Sequence, residues 1–320
     1  MDLKSGFPLS LIKNGLINNY PTLENTTRSE IVILGGGISG ALAAYYLTRE
    51  GLQCTVIDER NIGLGSTCAS TSLLQYEIDV PLFKLKKIIG DHKANRAYHL
   101  CGEAIHTVKK IADEIGYTQF EYKPSLYYAA NKKDLTFLNE EFDARKQSGF
   151  DVALLDSDAI KNDYNFKAAA AILSQLGGQV DAFSFTQALH QYNIKKGCKV
   201  FGHTSIKKIK HQKENVRLAT KEGTEIDCRY LVYATGYETV NFINKKIVNL
   251  HSTYVISSPH DTVPKNTGLD NTLIWNTDDP YLYMRTTDDG RIIVGGRDEP
   301  FYNPEKRDRL LDKKSLKLEQ

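Results

Sequence analysis

The chain is poor in several residue types that mark special classes of protein. Its 320 residues include five cysteines, nine prolines, two methionines and one tryptophan. The cysteine count is odd and no C-x-x-C pair occurs, so we expect neither a disulfide framework nor a metal site. Reduced thiols of this kind are typical of a cytosolic protein. The few prolines, with 23 glycines, exclude collagen-like and low-complexity architectures.

An excess of charge of one sign is also missing. Forty-one basic and 39 acidic side chains leave a formal net charge of +2. This balance leaves no electrostatic footprint for nucleic acid or for an anionic membrane. With 41% hydrophobic residues the chain is too apolar to be disordered. Its length allows one large domain or two interleaved domains, each with its own core.

Hydrophobic runs long enough to cross a membrane are absent as well. The stretch from Ile31 to Leu47 carries no charge over 17 residues, whereas a membrane span needs about 20 apolar residues. The residues after Met1 lack the apolar segment and small-residue cleavage site of a signal peptide. We therefore expect no signal peptide, no transmembrane segment and a cytoplasmic location.

The uncharged stretch instead predicts a strand followed by a helix. Glu30–Leu34 is rich in β-branched residues and is typical of a buried strand. Ile38–Glu50 is rich in alanine and leucine, with Gly51 where a helix C-cap belongs. Cys54–Asp58 predicts a second strand, which completes a βαβ unit.

A glycine-rich motif joins the first strand to the helix. Gly35-Gly36-Gly37-Ile38-Ser39-Gly40 satisfies G-x-G-x-x-G. Its first glycine permits a tight turn, its second lets a diphosphate approach the backbone, and its third lets the helix lie close to the strand. Asp58 ends the second strand, where a carboxylate can accept hydrogen bonds from ribose hydroxyls. The competing interpretation is a glycine turn without a ligand and a surface acid.

The segment Gly65–Ser72 is a run of small hydroxyl residues. Its N–H and O–H donors can follow a diphosphate and then the pyrimidine edge of a flavin without steric conflict. The alternative is an ordinary solvated loop.

Four segments make the chain resemble the D-amino-acid oxidase family, whose members include glycine oxidase and sarcosine oxidase. They are Ile31–Gly40, Thr55–Arg60, Gly65–Glu77 and Tyr230–Gly236. The resemblance implies an α/β fold, in which an FAD-binding Rossmann-like domain of the two-dinucleotide-fold type is interleaved with a mixed-sheet substrate domain. It also implies FAD as the cofactor.

The resemblance assigns roles to further residues. Ser66 and Thr67 would lie near the phosphates or ribityl chain, and Ser70–Ser72 near the isoalloxazine ring. Ala234–Gly236 would close over the cofactor, and the strand at Ile206 would contact adenine through its backbone. The predicted cofactor-binding residues are Gly35, Gly37, Ile38, Ser39, Gly40, Asp58, Glu59, Arg60, Gly65, Ser66, Thr67, Ser70, Thr71, Ser72, Ile206, Ala234, Thr235 and Gly236.

The activity that the resemblance implies is oxidation of a C–N bond in an amine or amino acid to an imine. Oxygen or an unknown acceptor would take the electrons, and no side-chain acid or base is nominated. An amino-acid carboxylate calls for a cation, preferably a bidentate arginine. Arg285 is the candidate, because strand alternation puts it on one face with Tyr281 and Tyr283. Tyr254, on another strand, is the second candidate substrate contact; the competing interpretation of Arg285 is a surface arginine.

The end of the chain departs from the family pattern. Family members usually continue beyond a Gly-Gly strand and its following helix with a segment that completes the flavin pocket. Here Ile292–Gly296 is followed by the charged helical pattern Glu305–Gln320, so we expect a chain that lacks that C-terminal segment.

We predict an N-terminal arm at 1–29, an FAD-binding domain at 30–80, 165–245 and 290–320, and a substrate domain at 81–164 and 246–289. Two other functions stay open. One is an FAD-dependent dehydrogenase of a 2-hydroxy acid or of a glycerol-phosphate-like substrate, which a basic amphipathic helix around Lys84, Lys86 and Lys87 would favour. The other is a non-catalytic or truncated nucleotide-binding fragment.

Overall fold

The fold consists of two units that each have their own internal packing. The structure, a computed structural model, describes residues 2–243, 245–265 and 267–319. The first unit comprises Met1–Ser70, Ile115–Tyr117 and Asp181–Leu250, and the second comprises Thr71–Glu114, Thr118–Val180 and His251–Gln320. Residues 1, 244, 266 and 320, which the predicted domain ranges include, lie outside the described residues.

These units differ from the predicted domains at their boundaries. Residues 71–80, 165–180 and 290–320, predicted for the FAD-binding domain, lie in the second unit. The reason is strand pairing over long sequence distances: Ala170–Ser174 and Ile292–Pro300 pair with strands of the second unit only. The predicted arm at 1–29 is part of the first unit, and its last residues begin a strand at Thr27. The assignment of a cofactor or substrate role to each range stays a prediction.

The strands and helices are numbered in chain order. The strands are β1 Thr27–Leu34, β2 Cys54–Ile57, β3 Leu73–Gln75, β4 Glu121–Tyr122, β5 Ser125–Tyr128, β6 Val152–Asp156, β7 Ala170–Ser174, β8 Gly177–Gln179, β9 Lys199–Phe201, β10 Ile206–His211, β11 Val216–Thr220, β12 Glu225–Tyr233, β13 His251–Ser257, β14 Leu273–Asn276, β15 Tyr283–Thr286 and β16 Ile292–Pro300. The α-helices are α1 Leu9–Asn14, α2 Ile38–Arg49, α3 Leu82–Ile89, α4 Asp91–Glu114, α5 Leu135–Gln147, α6 Ser157–Tyr164, α7 Ala182–Lys195, α8 Gly268–Asn271, α9 Pro304–Arg309 and α10 Leu311–Leu318.

A six-stranded sheet forms the centre of the first unit. Its order is β10-β11-β12-β1-β2-β9, with parallel pairing from β12 to β9 and antiparallel pairing from β10 to β12. Successive side chains of the short apolar strands point to opposite faces of the sheet, and both faces are buried, as in other parallel sheets. Ile33 and Val56 pack with Ala44 of α2 on one face, whereas Val32 and Ile57 pack on the other. The β1-α2-β2 crossover is the βαβ unit that the sequence predicts.

A seven-stranded mixed sheet forms the centre of the second unit. Its order is β13-β16-β15-β14-β5-β7-β6, and β14 and β5 are its parallel pair. One face carries an apolar core that includes Leu126, Ile274 and Ile160 of α6. The next residues along two of these strands, Tyr127 and Trp275, point to the opposite face, because side chains alternate along a strand. That face is therefore aromatic.

The second unit also buries an ion cluster. The Arg145 side chain of α5 is 1% exposed; its Nε lies 2.7 Å from Glu141 Oε1 and its Nη1 lies 3.0 Å from Glu77 Oε1. Ser174 Oγ donates to the same Glu77 oxygen over 3.1 Å. Burial raises the pKa of the Glu77 carboxyl, while the charge of Arg145 opposes that rise. Removing one partner from such a cluster would leave an unpaired buried charge.

The last helix packs against the mixed sheet through one of its sides. In α10, Lys314 and Leu318 are buried, whereas Leu316 is exposed. Lys314 Nζ donates to the Arg297 carbonyl over 2.7 Å and lies 2.6 Å from Glu299 Oε1 of β16. Among the described residues, no helix combines the length and apolarity required for a bilayer span.

Candidate cofactor and substrate sites

The glycine loop of the first unit is built so tightly that side chains do not fit. Gly35 has φ +111°, and a Cβ there would lie 2.3 Å from the Ala234 carbonyl oxygen. A Cβ on Gly40 would lie 1.9 Å from the Gly35 carbonyl oxygen, and one on Gly37 would lie 2.8 Å from Thr67 Oγ1. Only glycine allows these approaches. The loop thus presents bare backbone where α2 begins, as a diphosphate site requires.

Asp58 lies beside this loop at the end of β2. Its Oδ2 accepts the Gly36 N–H over 2.7 Å, and its Oδ1 accepts the Arg60 N–H over 2.8 Å. Burial raises the pKa of the Asp58 carboxyl, and the two backbone hydrogen bonds oppose that rise. A carboxylate has about four acceptor sites, so these bonds are compatible with further donors such as ribose hydroxyls.

Arg60 and Glu59 follow Asp58 directly. The Arg60 guanidinium binds both oxygens of Glu238, with distances of 2.9 and 3.0 Å. Glu59 Oε1 lies 2.8 Å from Arg60 Nη2, and the Glu59 side chain is 43% exposed. The bidentate pair ties the segment after β2 to the 3₁₀ turn Gly236–Asn241.

The hydroxyl loop approaches the glycine motif through Thr67. Thr67 Oγ1 accepts the Ile38 N–H over 3.1 Å. Ser66 Oγ lies 3.8 Å from the Cβ position of Gly236, and the Cys68 thiol donates to the Gly65 carbonyl over 3.3 Å. The first unit therefore brings the glycine motif, Asp58, the loop start and the β12 end together.

Other predicted residues are exposed, pack in the sheet core or belong to the other unit. Ser39 is exposed in the first turn of α2, and Ser70 is exposed. The Ile206 side chain packs on the sheet core at the start of β10. Thr71 and Ser72 belong to the second unit, so the predicted loop spans the boundary between units. Ser72 is buried and has φ +61°.

The end of β12 is held against β1. The Ala234 N–H donates to the Leu34 carbonyl over 2.8 Å. Thr235 Oγ1 lies 2.8 Å from Thr239 Oγ1, and Gly236 has φ +55°. These contacts place a small-residue turn at the same edge of the sheet as the Gly35 turn.

In the second unit, Arg285 lies on the aromatic face. Its register partner is Ile293, and that of Tyr283 is Gly295, so both side chains point to one face. Arg285 Nε donates to the Thr71 carbonyl, and Nη1 donates to the Thr286 carbonyl over 3.2 Å. These contacts hold the half-buried guanidinium in a defined position.

Tyr254 does not share this face. It is opposite Gly296 on β16, one residue away from the partner of Tyr283, so its side chain points to the other side of the sheet. The ring is 3% exposed, and its hydroxyl donates to the Arg307 carbonyl over 3.2 Å. The structure therefore does not bring the two predicted substrate contacts together.

Two aromatic residues that share the face of Arg285, Trp275 and Tyr127, were not predicted from the sequence. Trp275 stacks on Tyr127 with ring centroids 3.8 Å apart, and its Nε1 donates to Ser125 Oγ over 3.1 Å. Tyr283 lies so close to Gly295 that a Cβ there would be 2.3 Å from its ring. Strand alternation in Ser125–Tyr128 and Leu273–Asn276 indicates which side chains share a face within each strand. The sequence does not show that these two strands lie in the same sheet as the strand of Arg285.

Comparison with known proteins gives a family and a fold. The family model DAO, described as FAD dependent oxidoreductase, matches residues 30–316. The chain is 22% identical over 292 residues to gamma-glutamylputrescine oxidoreductase of Escherichia coli, which covers 87% of this chain and 66% of that protein. The curated relatives that it matches are longer, and the chain spans from 42% to 66% of their length.

Two solved structures share the fold at low sequence identity. Glycine oxidase from Geobacillus kaustophilus superposes with a TM-score of 0.73 at 16% identity, covering 87% of this chain and 73% of that chain. L-proline dehydrogenase from P. horikoshii superposes with a TM-score of 0.70 at 21% identity, covering 87% of this chain and 72% of that chain.

Proposed function

The chain belongs to the DAO family of FAD-dependent oxidoreductases, and from this premise we propose that it oxidises the C–N bond of an amino acid or amine to an imine. Membership confirms the predicted family, fold class, enzyme class and FAD cofactor. The reaction, its substrate and the role of each site residue are our proposals.

The residues at the glycine loop fit FAD. Gly35, Gly37 and Gly40 leave a cradle that a Cβ would fill, and the start of α2 adds the positive end of a helix dipole. Asp58 lies beside the cradle, where a ribose hydroxyl can donate to it. We propose that this edge of the first unit binds the ADP half of FAD.

When bound, FAD supplies a two-electron acceptor. The substrate loses two electrons, one proton from carbon and one proton from nitrogen, and becomes an imine. Water then adds to the imine, which releases ammonia or an amine and leaves a carbonyl compound. This chemistry needs the substrate to be oriented and its charge to be neutralised, and it does not oblige the protein to provide an acid or base.

The observation that carries the substrate proposal is an arginine on an aromatic face. Arg285 lies on the same face as Tyr283 and Trp275, and its backbone contacts hold it in place. A guanidinium fork matches the geometry of a carboxylate. The aromatic rings provide apolar area for the rest of a substrate. We therefore propose an amino acid, with Arg285 as the group that binds its carboxylate.

Anaerobic titration of the flavin spectrum tests the proposal. The purified holoprotein is titrated with amino acids, with amines that lack a carboxylate, and with hydroxy acids. We expect the visible flavin absorbance to bleach with an amino acid. If no amine and no amino acid bleaches the flavin, the proposed reaction is refuted.

Substitution of Arg285 tests its role separately. Loss of a charge-assisted bidentate contact in R285Q is expected to raise the half-saturating concentration of the amino acid by about tenfold to a hundredfold. Arg291→Gln is the matched control, because Arg291 on the same hairpin pairs with Asp289 over 2.8 Å. Equal effects of R285Q and R291Q would assign Arg285 a structural role only.

One observation favours the second candidate, a dehydrogenase of a hydroxy acid or a glycerol-phosphate-like substrate. The amphipathic helix α3 exposes Ile88 and Ile89 beside Lys84 and Lys87, a pattern found in helices that lie on membrane surfaces. Bleaching by a hydroxy acid or glycerol phosphate alone would favour this candidate. The predicted electron acceptor and cytoplasmic location stay predictions.

A further inference from the structure

Helix α7 presents a row of buried polar side chains to the first unit. Gln187, His190 and Asn193 are spaced by three residues and share one side of the helix. Their exposures are 2%, 0% and 0%. Buried polar side chains are costly unless they form hydrogen bonds, so a row of three requires an explanation.

Each member of the row donates to a backbone carbonyl near the glycine motif. His190 Nε2 lies 3.1 Å from the Gly36 carbonyl oxygen. Asn193 Nδ2 donates to the Ala41 carbonyl over 3.0 Å, and Gln187 Nε2 donates to the Ile62 carbonyl over 2.8 Å. These carbonyls belong to the glycine loop, to α2 and to the segment after β2.

The protonation state of His190 follows from its partner. A carbonyl oxygen only accepts hydrogen bonds, so Nε2 carries the proton. Nδ1 is buried and has no protein partner among the described residues. Burial lowers the pKa of His190 to about 4. The imidazole is therefore neutral at pH 7 and acts as a single fixed donor.

The Gly36 carbonyl belongs to the peptide that carries the Gly37 N–H. In a planar trans peptide these two groups point in opposite directions. A carbonyl held toward α7 therefore aims the Gly37 N–H away from α7. The preceding N–H, that of Gly36, is held by Asp58 over 2.7 Å. Three successive glycines have unusual freedom to rotate, so such contacts decide the loop conformation.

We propose that His190 is a positioning residue for FAD, which holds the Gly36–Gly37 peptide so that the Gly37 N–H points to the cofactor diphosphate. Gln187 and Asn193 hold the flanking backbone in the same way. The proposal concerns cofactor binding and holds whatever substrate the enzyme oxidises.

Two amide substitutions of His190 test the proposal. The amide nitrogen of glutamine reaches about as far as Nε2, whereas that of asparagine stops near the position of Nδ1. In titrations of the apoprotein with FAD, followed by flavin fluorescence, H190N is expected to raise the Kd about tenfold, the effect of one buried unpaired carbonyl. H190Q is expected to stay within about threefold of wild type.

Leu189→Ala is the control for general destabilisation. Leu189 is fully buried on the same helix and has no polar group to donate. L189A should lower the melting temperature and leave the FAD affinity of the folded protein unchanged. Wild-type affinity in H190N, or equal losses in H190N and H190Q, would overturn the proposal. If H190N fails to fold, N193L takes its place. We expect N193L to have a higher Kd for FAD than wild type and L189A. An N193L protein with an unchanged Kd would also overturn the proposal.

Discussion

Gly40→Ala has two effects of opposite sign on the free energy of unfolding. Alanine in the interior of a helix is normally favoured over glycine by about 1 kcal/mol. Here the added Cβ would lie 1.9 Å from the Gly35 carbonyl oxygen, whereas real Cβ atoms stay beyond 3.0 Å. The helix or the loop must therefore move by about 1 Å. Because the neighbouring Ala41 and Ala44 of α2 are fully buried, that movement disturbs a packed core.

Overpacking of this kind costs about 1–3 kcal/mol, so the steric effect should exceed the gain in helix propensity. We expect G40A to lower the free energy of unfolding of the apoprotein by about 1 kcal/mol and to raise the Kd for FAD at least about tenfold. Denaturant unfolding and FAD titration measure the two quantities.

Gly36→Ala provides the graded comparison. Its added Cβ would meet the Cδ1 end of the Ile62 side chain at 2.4 Å, and not a backbone atom. A side-chain end can move more easily than a carbonyl, so G36A should weaken FAD binding less than G40A. A G40A protein that is more stable than wild type and binds FAD equally well would refute the steric reasoning.

Three further predictions concern the buried Arg145 and His190 and the half-buried Trp275. Arg145→Met should lower the free energy of unfolding by about 3–5 kcal/mol in denaturant titrations, because Glu77 and Glu141 lose their buried counter-ion; a loss below about 1 kcal/mol would contradict this. Burial lowers the pKa of His190 from 6.5 to about 4, so between these values the unfolded chain binds a proton that the folded chain does not bind. As the pH falls from 7 to 4, the free energy of unfolding of wild type should therefore decrease by about 3 kcal/mol relative to that of H190Q. If the stability difference between wild type and H190Q does not change with pH, His190 is not held in the buried, neutral state. Trp275→Phe should raise the half-saturating substrate concentration without changing FAD affinity, and an unchanged value would remove Trp275 from the proposed substrate face.

The βαβ unit could be predicted because its signals are local. The β-branched run before Gly35, the helix after Gly37 and the acid at Asp58 lie within one short segment. Asp58 accepts a hydrogen bond from the Gly36 N–H. This contact is expected because a single βαβ crossover places the end of the second strand beside the glycine loop.

The sheet of the second unit could not be assembled in the same way, because its strands pair across long stretches of chain. The predicted division placed residues 290–320 with the cofactor domain, but β16 pairs with β13 and β15. Tyr254 was assigned to the same site as Arg285, but its pairing with Gly296, next to the partner of Tyr283, turns its ring to the other face. A shift of one residue reverses every side chain of a strand, and no local pattern reports it.

The polar row of α7 escaped prediction for a different reason. In a sequence, Gln187, His190 and Asn193 have the composition of a solvated helix face, because such residues are mostly exposed. Their partners are backbone carbonyls, which carry no side-chain signal. Only the approach of α7 to α2 in the fold shows that these side chains are buried.

The central claim is oxidation of a C–N bond, and the release of ammonia in a single turnover tests it most directly. The holoprotein is mixed anaerobically with the ¹⁵N-labelled amino acid that bleaches its flavin, and ammonium and carbonyl product are measured against the FAD reduced. For each FAD we predict one carbonyl product and one ammonium, or one released amine if the substrate nitrogen is substituted. Complete flavin reduction without release of ammonium or an amine, or reduction only by a hydroxy acid, would contradict the account.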